Sequence, residues 1–197
     1  CPNTGSMTAC STPGSKVGLS ISDNPKRKYA HTLEIVKDNG FWVGVNTSRT
    51  NHLVAEAIHE GKISAFTDVT SLKKEVKVSA KSRLDIVIER NNQSTFIEIK
   101  NCSLAVDGWA MFPDAVTERG TKHLHELMAL IKKGYEGCIF YLVQRMDAEK
   151  FKPADHIDPV YSRTLKEAAD KGVLVLAYQA EVSPAGIDVM RQLPVEI

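Results

Sequence analysis

Two carboxylates and a lysine stand out by type and spacing. Arg83-Leu84-Asp85-Ile86-Val87-Ile88-Glu89 is followed, after Arg90 to Thr95, by Phe96-Ile97-Glu98-Ile99-Lys100. Asn91-Asn92 suits the two positive-φ positions of a tight hairpin turn. With those residues as the turn, Asp85 lies opposite Glu98 and Arg83 opposite Lys100. Alternation then puts Arg83, Asp85, Glu98 and Lys100 on one face, and Leu84, Ile86, Ile88, Ile97 and Ile99 on the other. A longer turn would shift the pairing. Carboxylates facing each other at roughly 5 Å repel, and a hard cation between them removes that repulsion. Mg²⁺ or Mn²⁺ in such a place takes one or two protein carboxylates, water and phosphate oxygens. It would activate a water for in-line attack, with Lys100 steadying charge that develops on phosphorus. The competing reading is the wet face of an amphipathic hairpin, its acids neutralised by Arg83 and Lys100.

These residues need elements to hold them. The first 45 residues are rich in turn formers: Pro2-Asn3-Thr4-Gly5, Thr12-Pro13-Gly14 and Asp23-Asn24-Pro25. Between the turns sit the strand-like stretches Lys16–Ile21, Thr32–Lys37 and Phe41–Val45, a small β module. Leu53, Val54, Ala57 and Ile58 then recur at helical spacing, behind the cap candidates Ser48 and Thr50, and predict a helix to about Glu60. Strands are expected at Ser71–Val78, Arg83–Glu89 and Thr95–Asn101. A long helix follows from about Ala115 to Lys133, with Asp114 as N-cap and Gly134 as the stop. Gly137–Gln144 reads as a buried strand, Asp158–Asp170 as a helix closed by Gly172, and Val173–Ala180 as another buried strand. The order α-β-β-β-α-β-α-β predicts an α/β fold with a mixed sheet flanked by helices.

A helix before a meander, an acid on its second strand, E-x-K on its third and a helix after it form the arrangement of a PD-(D/E)xK nuclease-like core. The literal Pro113-Asp114 follows Glu98 and Lys100 and is left a capping role. Glu56, just off the apolar stripe of the first helix, is a candidate further acid or a solvated surface Glu. Along the long helix, Arg119 and Lys122 are candidate phosphate contacts. His123 beside them is read as a surface histidine.

Composition bounds the rest. The 197 residues are 43% apolar, enough for one buried domain plus a smaller module, and the net charge of +1 excludes a bulk electrostatic pull on nucleic acid. The charge is uneven: residues 1–49 hold six Lys/Arg against three Asp/Glu. Cys1, Cys10, Cys102 and Cys138 show no zinc-ligand spacing, which favours a reducing, cytoplasmic setting over a disulfide framework. The runs GCIFYLV and GVLVLAY are too short to span a bilayer, and no signal-peptide pattern opens the chain. A start at Cys1-Pro2 without Met leads us to expect an upstream segment.

Longer words carry a resemblance. CPNTGSM at 1–7, DNPKRKY at 23–29, VNTSRTNHLVAEAI at 45–58, SRLDIVIE at 82–89, FIEIKN at 96–101 and FPDAVTERGTKHLHEL at 112–127 resemble the sugar fermentation stimulation protein family. The resemblance covers essentially the whole chain. It implies a DNA-binding protein with an OB-like β module over 1–45 joined to a nuclease-like domain over 46–197. Asp85, Glu98 and Lys100 then occupy the nuclease-motif positions, and Lys26, Arg27 and Lys28 lie in the module's basic segment. Members ordinarily begin some tens of residues earlier, so the module would lack its opening strands. Three readings follow: a metal-dependent phosphodiesterase acting on DNA or RNA, a DNA-binding regulator of sugar metabolism without turnover, and a carbohydrate-pathway protein. The complete acid–acid–lysine set favours the first. The third needs an aromatic sugar platform, for which only Trp42 and Trp109 offer indoles.

Overall fold

Asn39 and Gly40, at φ 46° and 88°, form a two-residue turn that closes the first hairpin. It joins β2 (His31–Asp38) to β3 (Phe41–Gly44), and β1 (Val17–Ile21) pairs with the other edge of β2. Val36, Val43 and Val45 of this antiparallel meander pack with Cys10 as a small core. The computed structural model describes residues 1–3, 5–79 and 82–197; Thr4, within the turn expected at Pro2–Gly5, lies outside them.

The chain then enters α1 (Thr50–His59) through a 3-10 turn at Thr47–Arg49. Asn46 caps that 3-10 turn, its side chain accepting the Ser48 N–H at 3.1 Å. The helix α1 itself starts after Arg49 with no side-chain cap, so neither Ser48 nor Thr50 serves as one. β4 (Val69–Ser79), β5 (Ser82–Arg90) and β6 (Gln93–Cys102) follow as an antiparallel meander. Asn91 and Asn92, at φ 50° and 60°, make the expected turn. Pairs from Arg90↔Gln93 to Ile86↔Ile97 have the expected register. The ladder stops there. Beyond Ile86, β5 stays paired only with β4, so β5 and β6 part at Asp85 and Glu98.

The remaining elements are β7 (Leu104–Val106), β8 (Trp109–Phe112), α2 (Glu118–Ile131), β9 (Glu136–Val143), β10 (Lys150–Pro153), α3 (Pro159–Asp170), β11 (Leu174–Ser183) and β12 (Gly186–Leu193). The main sheet has the order β12-β11-β9-β6-β5-β4, with β6, β9 and β11 parallel and the rest antiparallel. This is the mixed sheet, flanked by helices, that the element order predicts. A second small sheet, β10-β8-β7, was not anticipated, because strands of three or four residues carry too little periodicity. No helix among the described residues is long and apolar enough to cross a membrane.

Both faces of the main sheet are covered. Ile86, Ile88, Ile97 and Ile99 pack with Val54 and Ile58 of α1. Leu124 and Leu127 of α2, with Tyr161 and Leu165 of α3, pack on the opposite core. Leu84 belongs to that opposite core, which corrects the single apolar face read from the sequence. Glu75 of β4 sits between the pairs Lys74↔Ile86 and Val76↔Leu84, at φ 54°. Arg83 moves with the hairpin end, 3.8 Å from Glu75 and exposed, so it does not sit opposite Lys100.

Asp158 caps α3, accepting the Tyr161 N–H at 2.9 Å, and its other oxygen accepts the Thr117 N–H at 2.8 Å. Thr117 in turn caps α2 through Gly120 N–H at 3.1 Å, so Asp114 is not the cap. Gly134 and Gly172, at φ 86° and 93°, end the two helices as expected.

Candidate active site

The parted strands leave Asp85 and Glu98 at the head of an opening. Asp85 Oδ2 accepts the Ile99 N–H at 2.8 Å, so a side chain bridges the strands where the backbone ladder has ended. Its Oδ1 accepts from Asn51 Nδ2 of α1, also at 2.8 Å. Burial and the Glu98 charge push the Asp85 carboxyl up, against the hydrogen bonds from Ile99 and Asn51 and the charge of Lys100.

Glu98 is only 2% exposed. Its Oε1 accepts from Lys100 Nζ at 2.7 Å and is hydrogen-bonded to His123 Nδ1. Burial raises this carboxyl, yet the His123 hydrogen bond and the Lys100 charge outweigh it and hold it below the ordinary value. Glu98 Oε2 is buried without a hydrogen-bond partner. Leaving a charged oxygen so costs more than the ~1–3 kcal/mol of a neutral group.

Asp85, Glu98 and Lys100 line one pocket of about 510 Å³, together with Asn51, Asn101 and Arg119. Its donors are carboxylate oxygens, a set suited to a hard cation such as Mg²⁺, Mn²⁺ or Ca²⁺ and not to a thiolate-seeking metal. The orphan Oε2 beside a second carboxylate fits such an ion. Among the described residues no group of three or more His, Cys, Asp or Glu side chains is gathered to cage one. A cation here would draw the rest of its shell from water and substrate oxygens, as Mg²⁺ ordinarily does.

The N-terminal segment forms a further wall. Asn3 and Gly5 line the pocket with Asp114. Asp114 Oδ2 accepts the Met7 N–H at 3.1 Å, and its carbonyl accepts from Ser6 Oγ at 2.6 Å. A Cβ on Gly5 would stand 2.5 Å from the Asp114 carboxylate, so only glycine allows this approach. The residue expected to cap α2 therefore ties the front of the chain to the site.

The other nominated residues divide. Arg119 is exposed at the pocket wall. Lys122 lies outside that lining, 3.9 Å from Glu126. Glu56 is misplaced as a site acid. It is exposed on another side of α1, in a groove with Leu53, Lys62 and Asp188. The helix reaches the pocket through Thr50 and Asn51 instead. His123 is corrected the other way: it is 4% exposed and bonded to Glu98, where a surface histidine was expected. Lys26, Arg27 and Lys28 are exposed between β1 and β2, with Arg27 Nη2 donating to Thr32 Oγ1 at 2.8 Å. Asn51 was missed because the run Asn46-Thr47-Ser48-Arg49-Thr50-Asn51 reads as helix-cap chemistry.

Residues 48–186 match the family model for the sugar fermentation stimulation protein RE domain, and residues 1–45 match that for the SfsA N-terminal OB domain. A sugar fermentation stimulation protein homolog from Desulfotalea psychrophila is 57% identical over 195 residues, spanning 99% of this chain and 80% of its own. The homolog from Geobacter sulfurreducens is 47% identical, spanning 99% and 84%. The structure of Pyrococcus furiosus SfsA in complex with Ca²⁺ has a TM-score of 0.92 at 28% identity, covering 99% of this chain and 84% of that one.

Proposed function

We propose that this chain, which belongs to the sugar fermentation stimulation protein family, is a divalent-metal-dependent nuclease hydrolysing phosphodiester bonds in DNA. The observation that carries the reading is Glu98 Oε2, a buried carboxylate oxygen without a partner, in one pocket with a second carboxylate. The Pyrococcus furiosus relative, solved in complex with Ca²⁺, supports a hard-cation site on this scaffold.

Asp85 and Glu98 would hold Mg²⁺ or Mn²⁺. Bound there, the ion would offset phosphate charge and supply an activated water. Asn51 and the Ile99 N–H orient Asp85. Lys100 places an ammonium beside the Glu98 carboxylate, for the charge that develops on phosphorus. Arg119 offers a planar fork for a phosphate at the pocket wall. Lys26, Arg27 and Lys28, with Lys122 beyond the pocket, would hold the nucleic-acid backbone. The four free cysteines fit a reducing, cytoplasmic setting.

One observation favours the second reading, a DNA-binding regulator of sugar metabolism without turnover: Lys100 is spent on an ion pair with Glu98, 2.7 Å away. A direct sugar platform is disfavoured, since lysine ammonium groups lie over both Trp42 and Trp109, 5.7 and 3.7 Å from the ring centroids.

Lys100→Ala separates enzyme from regulator. Lys supplies no metal ligand, so metal binding should survive while turnover falls by on the order of 10²–10³. The assay compares single- and double-stranded DNA and RNA, with Mg²⁺ or Mn²⁺ against EDTA. Cleavage that persists in both Lys100→Ala and Asp85→Asn is a contaminant's. No metal-dependent cleavage by the wild type on any substrate leaves the regulator standing.

A further inference from the structure

We infer that His123 is the positioning residue of the cation site: its ring holds Glu98 Oε1, leaves Oε2 for the metal, and frees Lys100 to turn to the substrate. The inference rests on the metal-dependent reading above and goes a step deeper. Glu98 Oε1 has two partners of different character. Lys100 approaches on a flexible four-carbon stem from the same strand, two residues away. His123 comes from α2, and its ring is 4% exposed beside Leu124 and Leu127, which anchor the helix in the core. The terminal torsion of a glutamate is broad and nearly two-fold, so an unheld carboxylate exchanges its oxygens freely.

A lysine that served as sole partner could not leave for a phosphate without stranding a buried carboxylate oxygen, at a cost of about 1–3 kcal/mol or more. With His123 in place, Oε1 stays satisfied when the ammonium departs. One oxygen is then held from α2, and the other, buried without a hydrogen-bond partner, is left to the metal. Partners of this kind, which touch a ligand side chain and not the metal, commonly change metal affinity by roughly 10–100-fold when removed.

Mn²⁺ titration of the full chain by calorimetry and by electron paramagnetic resonance tests this without any assay of activity. His123→Asn keeps a donor near the Nδ1 position, while His123→Phe and His123→Leu fill the space and remove it. Wild type and His123→Asn should bind Mn²⁺ alike, and whichever apolar variant folds should bind about 10–100-fold more weakly. Unchanged affinity in a folded apolar variant overturns the inference. So does a folded His123→Asn that is as weak as the apolar variants, because loss of shape, not of the donor, would then be at work. Asp85→Asn keeps the two levels distinct. If it abolishes binding while the His123 variants do not differ, only the role of His123 falls; if wild type itself binds no Mn²⁺, the metal-dependent reading falls with it.

Discussion

Asp85 and Glu98 sit in one pocket, yet their surroundings act on them in opposite senses. Burial and the Glu98 charge raise the Asp85 carboxyl, so its ionised form is a cost to the fold at neutral pH. Burial works against Glu98 too, but the His123 hydrogen bond and the Lys100 charge win and hold it below the ordinary range. For a carboxyl lowered on folding, the stabilisation is present above its unfolded value and lost as pH falls through the folded one. For one that is raised, the sign reverses. The neutral isosteres should therefore part company. Asp85→Asn removes the repulsion but keeps only one acceptor for the Ile99 and Asn51 donors, and these offset to within about 1 kcal/mol. Glu98→Gln strips the charge from a buried pair of cationic or hydrogen-bonding partners and should cost about 2–3 kcal/mol. Both should abolish Mn²⁺ binding. Urea melts and calorimetry on the two variants check this together; equal stability losses, or metal binding retained in either, would show that the division of roles is wrong.

Among elements, Asp158, 2% exposed, is shared by two helices: it caps α3 with one oxygen and holds the cap residue of α2 with the other. Loss of a cap costs about 1 kcal/mol, and a stranded N–H a further 1–3. Asp158→Ala should thus lose about 2–4 kcal/mol in a urea melt, whereas Thr117→Ala, which removes only the α2 cap, should lose about 1; similar losses would mean that the two helix starts are not coupled. The α3 cap was legible, because an aspartate directly before Pro159 marks a helix start. Its second task was not, since nothing local links Asp158 to Thr117. The same divide runs through the site. The hairpin was readable because Asn-Asn fixes its turn, and the turn fixes the register of Ile86 on Ile97. The parting of β5 and β6 was not, because it depends on β9 and β4 drawing the strands to different neighbours. Nor was the placement of Leu84 in the opposite core. His123 looked like a surface residue because its burial is decided by how α2 lies on the sheet. Glu56 and Asn51 were exchanged for a related reason: periodicity finds the buried stripe of α1 but not which flank meets the parted strands.

On the scale of the molecule, the front meander and the main sheet are pinned by a buried charge. Arg145, 1% exposed, holds Asp147 through two bonds of 2.6 Å, the Ser103 carbonyl at 2.7 Å and Asp38 of β2 at 3.3 Å. Gly44 N–H donates to the Gln144 carbonyl at 2.9 Å, and Asp114 ties Ser6 and Met7 to the pocket wall. The module that carries Lys26, Arg27 and Lys28 is therefore tied to the main sheet and to the pocket wall by side-chain and backbone contacts. Any attraction to DNA must be local, because a net charge of +1 gives no long-range pull. The proposed contact is the exposed basic segment between β1 and β2, with Tyr29 beside it 70% exposed. Each phosphate contact releases counterions and adds about 0.9 to the slope of log affinity against log salt. Replacing Lys26, Arg27 and Lys28 by Ala should flatten that slope by up to about three such units and weaken unrelated DNA sequences alike. Mn²⁺ binding should be untouched, because none of the three reaches the carboxylates. The pair Arg119→Ala and Lys122→Ala is the internal comparison. Arg119 lines the pocket, so its loss should act on cleavage as well as on affinity, while the front triplet acts on affinity alone. A slope that responds to the helix pair and not to the triplet would move the DNA path off the front module and onto α2.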